Sequence, residues 1–390
     1  MKFPIYMDHH ATTPVDPRVL EEMLPYFSEI YGNAASIDHE FGNVALQAVE
    51  KSRTQIASVI NALPEEIIFT SGATEADNLA ILGVTQQYAS KGKHIITCVT
   101  EHKAVLDTCF YLEKQGWTIT YLPVDQVGLV NPDDVRKAIS RDSVLISIMT
   151  ANNEIGTIAP ISEIGAIAHE TGVIFHTDAT QAVGYTPLNV QEMNIDLVSL
   201  SGHKIYGPKG IGALYVRSRN PRVKLAEQMH GGGHERGMRS GTLNVPSIVG
   251  FGKAIDICQS DQKDEFIHLS EMCKKLWNRL KQNVEGIELN GHSSQRLPHN
   301  LSVFIPGIES RSLLVLLKHD VALSSGSACT TSSVEPSHVI LALGFSAERA
   351  HQSIRIGLGR FNTEEEVDYV ARKIVQVVKT TRNVMNNLRK

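Results

Sequence analysis

Cysteine is scarce in this 390-residue chain, and the few present do not pair up. Cys98, Cys109, Cys258, Cys273 and Cys329 are odd in number and widely scattered, with no C-x-x-C pair among them. That argues against a disulfide framework and a zinc knuckle, and it leaves at least one thiol free. Long hydrophobic runs are missing too. Nothing approaches the ~18 apolar residues of a membrane span, and the start, Met1 to Asp8, has no apolar stretch of the secretory kind. A soluble chain in a reducing compartment, the cytoplasm, is the expectation. Excess positive charge is also absent: 37 Lys and Arg against 42 Asp and Glu give a net charge of −5. No basic field exists to draw the chain onto a nucleic-acid backbone. What remains is ordinary globular composition, 42% hydrophobic and 20% charged, in a length that suits roughly two domains.

Short β-branched runs recur through residues 66–70, 94–99, 118–122, 143–148, 172–176 and 196–200. They read as buried strands, and helix-period stretches such as 75–90 and 161–170 lie between them. Strand and helix in alternation predict an α/β fold, with a mostly parallel sheet covered on both faces. After about Ser260 the texture changes to a charged amphipathic stretch (261–284), a strand near 301–305, a helix near 310–319 and a helical run from Thr363. This predicts a smaller α+β domain formed by residues 1–14 and 261–390, beside a large domain at 15–260. Ser324 to Ser333 is small and polar throughout, too poor in apolar groups to pack, and reads as a mobile loop within about 324–336. Asp264-Glu265 and Glu364-Glu365-Glu366 look like solvated helix starts.

In open parallel sheets ligands bind outside the carboxyl ends of the strands. Four such ends carry polar groups: Glu101-His102, Asn152-Asn153-Glu154, Asp178 to Gln181, and Ser201-Gly202-His203-Lys204. The segment Thr70-Ser71-Gly72-Ala73-Thr74-Glu75 follows a strand and opens a helix with small and hydroxylated residues, which suits an anion such as phosphate. It also suits an ordinary Ser/Thr cap, and it lacks both the lysine of a P-loop and the G-x-G-x-x-G of a dinucleotide site. ATP and NAD are thereby disfavoured. Lys204, set between small residues after an apolar strand, is placed to be partly desolvated, and a neutral amine forms Schiff bases with aldehydes. A lysine, a carboxylate (Asp178) one strand earlier and a phosphate seat are the combination that pyridoxal 5'-phosphate requires. His230 and His234 lie four apart, but the three glycines between them oppose a shared helical face, so a metal site is not expected.

These segments, with Thr100-Glu101-His102, Asn152 to Gly156, His176 to Gln181, Arg239-Ser240-Gly241-Thr242 and Ser325 to Cys329, closely resemble the IscS/NifS cysteine desulfurases. The likeness runs from Asp8-His9-His10-Ala11-Thr12-Thr13 to Arg355 and beyond. It implies a fold-type I pyridoxal-phosphate enzyme, with a large domain built on a seven-stranded sheet and a smaller C-terminal domain, acting as a homodimer. By resemblance, Lys204 would carry the cofactor, Asp178 would pair with the pyridine nitrogen, Gln181 would bond the ring hydroxyl and His102 would stack on the ring. Ala73, Thr74, Ser201 and His203 would hold the phosphate, joined by Thr242 of a partner subunit. Arg355 would clamp the substrate carboxylate, with Asn153 beside it and Asn33 near the substrate entrance.

Four of the cysteines lie in or near apolar patterns and read as packing residues. Cys329, in the polar segment, would be the nucleophile that takes sulfur from L-cysteine, giving alanine and a persulfide for an acceptor such as an iron-sulfur scaffold. The rival expectations are a selenocysteine lyase or aminotransferase, and a non-catalytic sulfur-relay protein. Two departures from the resemblance are Gly32-Asn33-Ala34 where Gly-Asn-Pro is common, and Thr331 where serine is usual.

Overall fold

A computed structural model of the chain describes residues 1–325 and 335–388. Seven strands form one sheet in the order Ile67–Thr70, Gly212–Val216, Leu197–Ser201, Ile174–Asp178, Ser143–Ser147, His94–Cys98, Thr118–Leu122. All neighbours are parallel except Gly212–Val216, which runs antiparallel to the strands on both its sides. The strand period of two explains the two cores. Ile68, Ile95, Leu145, Leu197 and Leu214 enter one, under the helices Ala73–Tyr88 and Lys103–Lys114. Their neighbours Phe69, Ile96, Ile146, Val198 and Tyr215 enter the other, under Glu40–Val59, Ile161–Thr171 and Val245–Asn283.

The expected strands are all present, and Gly212–Val216 joins them. The charged stretch at 261–284 is not a separate helix. It is the second half of a 39-residue helix that begins at Val245 and crosses position 260 unbroken. Asp264-Glu265 is accordingly mid-helix, and the Glu265 side chain, only 8% exposed, is paired with Arg360 Nη2 at 2.7 Å. The solvated-start reading fails for Glu265 because its partner lies far along the sequence. It holds for Glu364–Leu388, where Glu366 accepts from the Thr363 amide at 3.1 Å.

Beyond the long helix, Glu288–Leu289, Asn300–Phe304 and Ser353–Gly357 form a small antiparallel sheet. The N-terminus joins this part of the molecule: Ile5–Tyr6 pairs in parallel with Val321–Ala322, and Asp8 bridges to Gly357. The next residues then turn back over the carboxyl edge of the large sheet, where the Thr13 amide bonds the His203 carbonyl.

Candidate active site

Because six of the seven strands run in one direction, their carboxyl ends meet at one edge, and a cavity of about 520 Å³ opens there. Its wall includes Ala73, Thr74, His102, Asn153, Asp178, Gln181, Ser201, His203, Lys204 and Arg355, residues from six separate stretches of the sequence. Two expected residues lie elsewhere in this chain. Asn33 caps its own turn, accepting from the Ala35 amide, and lines a separate hollow with Glu235 and Arg236. Thr242 is solvent-exposed and is not part of the cavity wall. Cys329, with most of the expected loop, lies outside the described residues.

The anion seat is built by a glycine. Gly72 precedes the helix Ala73–Tyr88 with φ 156° and ψ −179°, and no side chain caps the helix, so its first-turn amides are left for a ligand. A Cβ at Gly72 would meet nothing within 4 Å: the space in front of these amides is open. Ser71 and Glu75 frame it, the Glu75 carboxylate accepting from the Ser71 amide and from Arg239 Nε, each within 2.8 Å.

Across the cavity, Asp178 ends its strand with Oδ1 accepting from the Thr180 amide at 2.9 Å. Two further acids stand behind it. Burial pushes Asp77 and Glu101 well above the usual carboxylate range, the nearby Asp178 charge adding to the shift in both. Both are held toward the neutral form. The Glu101 Oε1 accepts from the Met149 amide at 2.7 Å, so this residue joins two strand-end loops rather than facing the cavity. Asn152 likewise spends its Oδ1 on the amides of Glu154 and Ile155.

His102 caps the helix Lys103–Lys114, its Nδ1 accepting from the Ala104 amide at 3.2 Å. An accepting Nδ1 puts the proton on Nε2, and the cap fixes the ring plane. Burial lowers its pKa, with Asp178 opposing. His203 is held at about 4 by burial and then by Lys204 and Lys209, so it enters the anion seat as a neutral imidazole. The Lys204 amine donates to the backbone carbonyls of His10 and Ala11, the latter at 2.8 Å.

Arg355, in the middle of its strand and only 3% exposed at the side chain, pairs through Nη2 with Asp8 Oδ1 at 2.9 Å. Its Nη1 donates to the backbone carbonyl of Asn153, while Nε has no partner. Asn153 therefore neighbours Arg355 through its main chain. The residues His10, Ala11, Thr12 and Lys209 also line the cavity. They escape a reading of strand ends because three of them come from the chain's start, and only their place in the D-H-H-A-T-T run hints at them.

The four packing cysteines are as expected. Cys98, Cys109 and Cys258 are buried and Cys273 half-buried, and burial pushes the first three thiols up to about 12 and Cys273 to about 11. None is poised as a thiolate.

An amine, a carboxylate on the neighbouring strand, a helix N-terminus with open space before it and a buried guanidinium, all on one cavity, define an α/β enzyme site of the pyridoxal-phosphate kind. Residues 5–370 match the sequence profile of the family described as Aminotransferase class-V. The chain is 53% identical over 384 residues to "Cysteine desulfurase IscS" of Anaeromyxobacter dehalogenans (strain 2CP-C), covering 98% of this chain and 95% of that one. It is equally identical over 382 residues to "Cysteine desulfurase, mitosomal" of Encephalitozoon cuniculi (strain GB-M1), covering 97% and 88%. Among solved structures, one titled "NIFS-LIKE PROTEIN" superposes with TM-score 0.90 at 38% identity, covering 97% of this chain and all of that one. Another, "SspA in complex with cysteine", gives 0.80 at 38%, covering 92% and 100%. The chain belongs to the class-V aminotransferase family and, within it, to the IscS-type cysteine desulfurases, which use pyridoxal phosphate. No helix among the described residues is long and apolar enough to cross a membrane.

Proposed function

We propose that the cavity takes L-cysteine and releases L-alanine, the sulfur passing to Cys329. The observation that carries the reading is the meeting of Lys204, Asp178, Arg355 and the Gly72 helix start on one cavity wall. When bound, pyridoxal phosphate supplies an electron sink for charge developing at the substrate Cα. Ala73, Thr74, Ser201 and His203 would hold its phosphate, Asp178 would pair with its ring nitrogen, and Gln181 with its ring oxygen. Lys204 Nζ would hold the group at its aldehyde carbon and, once a substrate amine takes its place there, the freed amine would serve as base for the Cα proton. Arg355 orients the substrate carboxylate, the Nε without a partner and the Nη groups offering a fork for it. The His102 Nε2 proton is placed to serve the substrate amine and thiol.

Cys329 thiolate attacks the substrate sulfur, so that an S–S bond forms as the C–S bond breaks and the electron pair returns to carbon. Ser324, five positions earlier, exchanges two backbone hydrogen bonds with Arg355 at 2.7 and 3.3 Å. Five extended residues span at most about 18 Å, which brings the thiol within range of a substrate held by Arg355. The persulfide would pass to an acceptor such as an iron-sulfur scaffold. A homodimer, in which a partner's Thr242 reaches the anion seat, and a reducing, cytoplasmic setting belong to the same reading, as does a division into residues 15–260 and a part made of 1–14 and 261–390.

Purified protein with L-cysteine and no keto acid is expected to yield alanine and, with a reductant, sulfide. Cys329→Ser should keep the visible band of bound cofactor and lose sulfide release; sustained turnover by that variant refutes the assignment. Lys204→Ala should lose the visible band formed with added pyridoxal phosphate. A requirement for a keto acid would make the protein an aminotransferase instead.

A further inference from the structure

His10 sits beneath Gln181 and makes two hydrogen bonds to it, one from the ring and one from the backbone. Gln181 Nε2 donates to the His10 carbonyl at 3.1 Å, and Gln181 Oε1 stands 2.9 Å from His10 Nδ1. A carbonyl oxygen can only accept, so the Gln181 nitrogen must be the atom facing it. The amide oxygen is then the atom facing Nδ1, and Nδ1 must carry a hydrogen. The glutamine cannot flip without setting two oxygens against each other on one side. One hydrogen of Nε2 remains, on a residue that lines the cavity.

We propose that His10 is a positioning residue, which locks Gln181 so that it presents an N–H donor, and not its carbonyl, to the ring oxygen of the cofactor. The same His10 carbonyl accepts from Lys204 Nζ, so one residue aligns two of the groups that face the cofactor. The lock needs a hydrogen on Nδ1, which a neutral ring supplies in that tautomer. His10 is 1% exposed, stacks on His299 at 4.4 Å and 22°, and its Nε2 has no partner, as an unprotonated nitrogen in that stack allows. His299 in turn lies against Tyr185 at 4.0 Å. The charged or titratable groups around the ring are His299, Arg355 and Lys204. Together with burial, all three hold it well below the usual histidine range, the Gln181 bond alone opposing. Asp178, His102 and His203 face the cavity from the other strand ends. They are unchanged in every variant below.

The inference rests on the cofactor reading of the cavity, and the test separates the two. A donor on the ring oxygen stabilises its deprotonated form; without it, the bound cofactor keeps its proton to higher pH. The readout is the pH midpoint of the visible absorption of the protein loaded with pyridoxal phosphate. His10→Phe keeps a flat ring for the stack and loses the Nδ1 donor, and is expected to raise the midpoint by about one unit. Gln181→Ala should raise it similarly, and the double variant no further, since both act through one bond. His10→Asn can place an amide N–H close to where Nδ1 stands, and should stay near wild type. If His10→Phe does not fold, His10→Ala carries the same expectation. A midpoint unmoved in the variant without the donor, or moved as far in His10→Asn, overturns the inference and leaves the cofactor reading standing. A wild-type protein that develops no visible band overturns both.

Discussion

Asp77 is wholly buried in the second turn of the helix Ala73–Tyr88, and neither of its carboxylate oxygens has a partner within hydrogen-bond distance. The nearest basic group, His176 Nε2, is 3.6 Å away, and burial holds that imidazole at about 4. An ionised carboxylate there would be uncompensated. Burial first, then the charge of Asp178, pushes Asp77 well above the usual carboxylate range, the Ser199 hydroxyl only partly opposing them. The folded chain thus keeps a proton that the unfolded chain releases near pH 4. The stability this contributes is complete below that pH and is lost as pH rises. Asp77→Asn, which never titrates, is therefore expected to gain on wild type between pH 5 and 8, by up to about 1.4 kcal/mol per pH unit. Urea midpoints at several pH values measure it; a difference that stays constant with pH would show that Asp77 is already ionised in the folded chain.

At the scale of the element, the start of that helix depends on Gly72. Its φ of 156° and ψ of −179° belong to a region open almost only to glycine. An added Cβ has room, so the cost of Gly72→Ala is torsional: a loss of ~1–3 kcal/mol in urea unfolding is expected. Weaker binding of pyridoxal phosphate should accompany it as the amides turn. Unchanged stability and affinity would mean that the seat does not need this geometry. Elements with strong local pattern were legible in the sequence. The β-branched runs at 94–98 and 143–147 became central strands because their neighbours on both faces are apolar. Gly212–Val216 escaped because it opens on glycine and alanine and has one β-branched residue, and Glu40–Val59 because polar residues fill its outer face. Lys204, Asp178 and His102 could be found because they follow such strands directly. His10 and Thr12 could not: they reach the cavity through pairing with Val321–Ala322 and Gly357, more than 300 residues away, and no local pattern encodes that.

Across the whole molecule, the large sheet and the C-terminal part are fastened by Arg360. Its Nη1 pairs with Asp16 Oδ2 at 2.8 Å and its Nη2 with Glu265 Oε2 at 2.7 Å, while its guanidinium lies 4.3 Å from the Tyr206 ring centroid. Both carboxylates are almost fully enclosed, 2% and 8% exposed at the side chain. Arg360→Ala would leave the Glu265 carboxylate without its ion-pair partner, Asp16 keeping Arg18 at 2.8 Å, at a cost of ~3–5 kcal/mol. Arg360→Lys should recover only part, because an ammonium cannot serve two carboxylates and stack as well. Equilibrium unfolding in urea checks both; an Arg360→Ala variant as stable as wild type would show that the fastening lies elsewhere.

The helix Val245–Asn283 gives this arrangement a kinematic consequence. With 39 residues at 1.5 Å each it is a rod of about 58 Å, rooted under the sheet by Ile248 and Phe251 and in the C-terminal part by Leu276 and Leu280. A rod cannot articulate at its middle without breaking its own hydrogen bonds. Any change of angle between the two parts must therefore pivot at its ends, near Asn244 or Val284, where the backbone leaves the helix. Swinging about the Asn244 end would displace the strand that carries Arg355 far more than the strand ends that carry Lys204 and Asp178, so such motion would change where a substrate's carboxylate sits while leaving the lysine and carboxylate registered to each other.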